Sequence, residues 1–196
     1  MKSLSKLSVG EYQQLYSIQK SKDDDIDKAI ASVSIITGKP RWEVEDIPLI
    51  QFAEISRSVA ALFTTPLAPQ KPQDYILISG QKYRVILDPK HLTAGQYIDL
   101  QHFLKGDIID NLHKLMACIV IPAKGKYDGE NHEKISQAIQ DCNFIEVHAT
   151  CVFFSTLWTN SIKAISPYLI REMSKMDPKL KEIDLESIMD GFSMLA

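Results

Sequence analysis

Apolar residues at helical spacing run through most of the chain, and two of the helix starts are written in nearly the same letters. Leu7-Ser8-Val9-Gly10-Glu11-Tyr12, followed by Leu15, returns as Leu92-Thr93-Ala94-Gly95-Gln96-Tyr97, followed by Leu100. In each copy a hydroxyl residue, Ser8 or Thr93, stands where an N-cap accepts from the backbone. Glu11 or Gln96, three residues on, can reach back to the cap's own N–H. Leu7 with Tyr12, and Leu92 with Tyr97, hold the N′ and N4 positions of a hydrophobic staple. The copies are offset by 85 residues (Leu92 against Leu7), and a similar helix follows each at an offset of about 83 (Asp110 against Asp27). The pattern predicts two related helical hairpins.

The rest of the pattern fills in around them. A first helix over 9–20 leads to the acidic run Asp23-Asp24-Asp25, which offers caps and negative charge to a second helix through Ala29, Ile30, Val33 and Ile36, stopped by Gly38 and Pro40. The stretch 42–63 resumes a helical pattern after Pro48, with Leu49, Phe52, Ile55, Val59 and Leu62 near period 3.6. Pro66, Pro69 and Pro72 predict an extended linker. Two β-rich runs over 75–87 meet at Gly80-Gln81, whose order suits a type II′ turn. Beyond the second capping box the spacing predicts helices over 94–104 and from Asp107 through Ile119 to Pro122, a glycine and lysine loop over 124–129, and a short helix near 132–142. The most apolar stretch, 144–165, reads as a central buried helix, and Asp177-Pro178 opens a last helix with Leu180, Ile183, Ile188, Met189, Phe192 and Leu195 as apolar positions. The fold class is mainly α with one β-hairpin (α+β). A first helical repeat (1–64), a proline-rich linker with the hairpin (65–91), and a second repeat with C-terminal helices (92–196) are expected to form one compact domain.

Composition changes this picture little. The chain has 196 residues, 45% hydrophobic and 24% charged, as an ordinary globular protein has. A net charge of −3 argues against a protein that coats phosphate backbone, so no sequence-specific contact with nucleic acid is expected. The opening residues Met1-Lys2-Ser3-Leu4-Ser5-Lys6 lack the apolar core of a signal peptide, which predicts a cytosolic origin, and no apolar run is long enough to span a bilayer. Cys118, Cys142 and Cys151 are odd in number and lack C-x-x-C spacing, so they read as reduced and mostly buried.

Each candidate for chemistry falls short at a nameable step. His148 and Cys151 could share a helix face, but they sit in the most apolar stretch, where a buried structural pair is the plainer reading. His102 and His113 lie on consecutive helices without a third ligand at metal spacing. Asp23, Asp24, Asp25 and Asp27 lack the glycine and distal glutamate of a calcium loop, and Lys124 and Lys126 beside Gly125 and Gly129 lack the phosphate-loop pattern. The expectation is a chain that is not an enzyme and takes no cofactor or metal.

Two elements read as docking surfaces. A two-stranded hairpin leaves its backbone edges unpaired and is marginal alone, so Tyr75, Ile76, Ile78, Tyr83 and Val85 are candidate interaction residues. The proline-spaced linker would let the hairpin reach away from the helical body. An apolar terminal helix suits a neighbour's groove, which adds Ile188, Met189, Phe192 and Leu195.

The order of parts resembles small virion-assembly proteins of tailed bacteriophages, especially the crAss-like group. The resemblance rests on "LSVGEYQQL", "SIITG", "IPL", "GQKYRVILD", "LTAGQYIDLQHF", "NLHKLMACIVIP" and "VFFSTLW", and covers the chain to about Trp158. It implies a structural subunit of a head-tail connector or portal-associated ring, located in the virion and made in the host cytoplasm. Its implied partners are the portal, neighbouring ring or tail proteins and further copies of the chain. A tail-assembly chaperone is the alternative, and an unrecognised Cys/His-dependent enzyme a more distant one.

Overall fold

The computed structural model describes residues 2–64, 67 and 70–176, with side chains placed as far as Asn160. The expected last helix, with Ile188, Met189, Phe192 and Leu195, lies outside the described residues.

Both capping boxes form. Ser8 Oγ accepts from the Glu11 N–H (3.2 Å) while the Ser8 N–H donates to Glu11 Oε2 (3.1 Å), opening α1 (Val9–Lys20). Thr93 Oγ1 accepts from the Gln96 N–H (3.3 Å) while the Thr93 N–H donates to Gln96 Oε1 (3.0 Å), opening α5 (Ala94–Phe103). The likeness extends to the helices that follow. Asp24 Oδ1 accepts from the Ile26 and Asp27 N–H groups at the start of α2 (Asp25–Thr37), and Asp107 Oδ1 accepts from those of Ile109 and Asp110 at the start of α6 (Ile108–Ile119). In each pair the second helix packs on the first. The ends differ: α2 stops at Gly38, whose φ of 70° gives the left-handed cap, whereas α6 runs directly into a strand.

The stretch 42–63 is two helices, α3 (Arg41–Glu45) and α4 (Leu49–Thr64), because Pro48 cannot continue the first and suits the start of the second. Leu49 is a correction to the expected apolar stripe. It is 80% exposed, whereas Val59 is buried and Phe52, Ile55 and Leu62 are half-buried.

The sheet has three antiparallel strands in the order β1 (Tyr75–Ile78), β2 (Gln81–Val85), β3 (Val120–Pro122). The turn differs from expectation by one residue. Ile78 pairs with Gln81, so Ser79 (φ 48°) and Gly80 (φ 77°) are the central residues, and two left-handed residues make a type I′ turn rather than II′. That shift decides which side chains point inward. Ile76, Ile78 and Val85 are buried in the protein's own core, with Tyr83 half-buried on the same face, and Tyr75 and Leu77 stand outward. The hairpin therefore does not reach away from the body. β3, where a helix was expected to continue to Pro122, gives β2 its second neighbour through Tyr83↔Pro122 and Val85↔Val120, and relieves the weakness of a two-stranded ribbon.

Two further helices close the core: α7 (His132–Ile139) and α8 (Phe144–Met176), which is about 50 Å long at 1.5 Å per residue. The central element is α6 rather than α8. Every residue from Leu115 to Ile121 is buried, and α6 packs against α1, α5, α7 and α8. α8 is buried on one stripe, through Phe144, Val147, Cys151, Phe154 and Trp158, while Glu146, Phe153, Thr156 and Asn160 face outward. The starts of α1 and α8 are stitched together. The Phe144 N–H donates to Leu7 O, and the Val9 and Gly10 N–H groups donate to Cys142 O and Gln140 O, each at 2.9 Å. A Cβ on Gly10 would lie 3.3 Å from Gln140 Cβ, so the close approach calls for glycine. Buried residues from both helical pairs and the sheet belong to one cluster, which supports a single folded unit.

Candidate interaction surface

The cysteines and several of the histidines among the described residues are wholly or partly buried. Burial pushes the Cys151 thiol up to about 12 and that of Cys142 up to about 11, and raises Cys118 further, each shift disfavouring the thiolate. Cys151 Sγ lies 4.0 Å from Met116 Sδ, and no hydrogen bond joins it to His148 among the described residues. His102 is exposed with its ring edge-on to Phe103, and His113 Nδ1 lies 2.9 Å from Gln13 Nε2, so the two histidines hold different partners. Asp24 is spent as a cap, and the Asp27 and Ile26 N–H groups hold its carboxyl below the ordinary value. Among the described residues no three His, Cys, Asp or Glu side chains gather where an ion could be held, and no helix is long and apolar enough to cross a membrane.

One buried pair has no counterpart in the sequence reading. Cys118 Sγ lies 3.4 Å from His132 Nε2, which is also 3.1 Å from Lys114 O, and the His132 ring stacks on Phe103 with centroids 5.0 Å apart. No spacing signal could have joined residues on α6 and α7. The pair reads as a satisfied core contact.

Histidine burial has a measurable consequence. Desolvation lowers His148 and, with Lys114 nearby, His113 from their ordinary value. Each binds its proton less readily in the folded chain than in the unfolded one, where a histidine titrates near pH 6.5, so folding is favoured above that pH and loses stability as pH falls through it. The midpoint temperature is expected to fall between about pH 7 and pH 5, and less steeply in His148→Gln. An unchanged slope in that variant would assign the loss to other groups.

What the surface does offer is apolar area on rigid elements. Leu49 and Ile50 (80% and 79% exposed) open α4 as consecutive aliphatic residues, and Trp42 (64%) stands on the adjoining α3. On the outer face of the sheet are Leu77 (67%) and Tyr75, the latter carrying Lys82 Nζ 4.0 Å above its ring. Of the sequence-derived interaction residues that are described, Tyr75 and Tyr83 keep side-chain surface, and Ile76, Ile78 and Val85 spend theirs in the core. The α3–α4 corner escaped the sequence reading because Leu49 fitted the helical period. The missed signal was Pro48-Leu49-Ile50, two aliphatic residues at a helix start where only one can face inward.

A groove of about 460 Å³ opens where the hairpin, β3, the loop after it and α7 meet. Its floor is apolar, from Ile78, Val120, Ile135 and Ala138, and its rim carries Lys126 and Lys134. The loop is held in shape by Tyr127, whose hydroxyl donates to Asp99 Oδ2 (2.5 Å), and by Asp128, which accepts from the Glu130 N–H and from Asn131 Nδ2. No protein family, curated protein or solved structure matches the chain.

Proposed function

We propose that the protein is a non-enzymatic structural subunit of a tailed bacteriophage particle, part of a ring at the head-tail connection, with the portal, neighbouring ring or tail proteins and further copies of itself as partners. The observation that carries this reading is the α3–α4 corner. Leu49, Ile50 and Trp42 each stand more than three-fifths exposed on helices whose backbones are already fixed. A single exposed apolar residue needs no explanation, but consecutive ones on rigid structure gain free energy only when another surface covers them. Covering such a corner orders little that is not ordered already, which favours permanent assembly. The resemblance in sequence order to virion-assembly proteins supports the same reading.

Mass spectrometry of purified particles tests it. Several copies per particle in fixed ratio to the portal are expected. Absence from purified particles would overturn the reading in favour of a tail-assembly chaperone.

A further inference from the structure

We propose that copies of this chain associate head to tail, the acidic corner between α1 and α2 of one copy seating in the lysine-rimmed groove of the next; the proposal rests on the ring reading above. The groove suits an occupant with an apolar tip beside negative charges. Its floor is aliphatic, and among the described residues neither Lys126 nor Lys134 has a carboxylate within ion-pair distance. Asp128 also lines the groove, but its carboxylate accepts from the Glu130 N–H and the Asn131 amide.

The α1–α2 corner has the complementary form. Ile26 is 68% exposed, and Asp23 and Asp25 beside it are exposed and without ion pairs among the described residues. Asp24 caps α2, and Asp27 is taken by Arg41. The corner presents one aliphatic side chain beside two carboxylates without ion pairs among the described residues, matching an aliphatic floor and two ammonium groups likewise unpaired.

Position excludes self-satisfaction. Lys20, at the end of α1, pairs with Asp107 and Asp110 at the start of α6, so the acidic corner lies at that end of α6. The groove includes Val120, which follows the other end. The 12 residues of α6 hold the two surfaces about 18 Å apart along its axis. A copy can therefore give its corner to one neighbour and accept another's, a heterologous contact that closes into a ring or continues as a filament according to the rotation between copies. Burial of Ile26 would supply affinity, and the carboxylate–ammonium pairs orientation and association rate, so the contact should weaken with salt.

Sedimentation velocity of the full chain across concentration and salt tests this, with two charge-reversed proteins. One carries Lys126→Glu with Lys134→Glu, the other Asp23→Lys with Asp25→Lys; Asp24 is kept as the cap, and unchanged circular dichroism confirms folding. Wild type is expected to associate, and each variant alone to associate at least about tenfold more weakly, because its corner and groove now carry like charge. Mixed in equal amounts they should regain association, since each variant's corner opposes the charge of the other's groove. Variants that associate as wild type does, or a mixture that stays monomeric, would overturn the head-to-tail contact while leaving membership of the particle standing. A wild type monomeric at every concentration would overturn the contact too, whereas absence from particles would overturn the ring reading itself.

Discussion

Phe144→Ala is expected to lower stability by about 3–5 kcal/mol, close to the full stability of many domains. Phe144 is completely buried at the first turn of α8, and its ring stacks on Tyr12 of α1 with centroids 3.6 Å apart and planes 11° from parallel. Tyr12 in turn meets Phe63 of α4 at 5.9 Å, so one aromatic joint fastens three helices distant in sequence. Truncation removes the apolar burial, the stacking, and the atoms that fill the space between elements already tied by the Phe144 N–H to Leu7 O bond. That bond holds the backbones in place, so the cavity cannot close by collapse. The midpoint of thermal unfolding should fall by roughly 6–20 °C. Ile50→Ala, at a site 79% exposed, should shift stability by no more than about 0.5 kcal/mol. A small effect of Phe144→Ala would mean that the starts of α1 and α8 are held by backbone pairing alone.

That joint also shows what could and could not be read from the residues alone. The start of α1 was legible because a capping box is a local device: Ser8, Glu11 and their spacing are enough to place it. Nothing local tells Tyr12 that its partner is Phe144. The same division runs through the fold. The hairpin was legible from its β-rich runs, but its register was not, because Ser79 occupies a left-handed conformation that its identity does not advertise. β3 was illegible as a strand because Val120 becomes one only by pairing with Val85, 35 residues earlier. α8 was read as central because it is the most apolar stretch, yet centrality depends on burial all round: α6 and the strand it leads into are buried without a break from Leu115 to Ile121, whereas α8 turns Glu146, Phe153 and Thr156 outward. For the surface, Tyr75 could be named as part of a β-rich run, whereas the lysine-rimmed groove comes together only when three separate segments fold.

The two capping boxes, alike in sequence, should differ sharply when broken. Gln96 is 1% exposed, and its side chain closes three contacts: Nε2 donates to Cys118 O at 2.7 Å, and Oε1 accepts from both the N–H and the hydroxyl of Thr93. Gln96→Ala leaves the Cys118 carbonyl, at the end of a wholly buried helix face, without this donor, and opens a void beside it. An unmet buried group costs about 1–3 kcal/mol, and the void raises the total to about 2–4 kcal/mol. Glu11, at the equivalent place in α1, keeps a quarter of its side-chain surface in water, and its partners are the Ser8 N–H and Lys2. Water can replace both, and an exposed ion pair contributes little, so Glu11→Ala should cost less than about 1 kcal/mol. Urea unfolding of the two variants measures the difference directly, as a shift in midpoint at constant slope. Equal costs would show that the box itself carries the energy. The expected inequality would show instead that a repeated motif has been drawn into the core in one copy and left at the surface in the other.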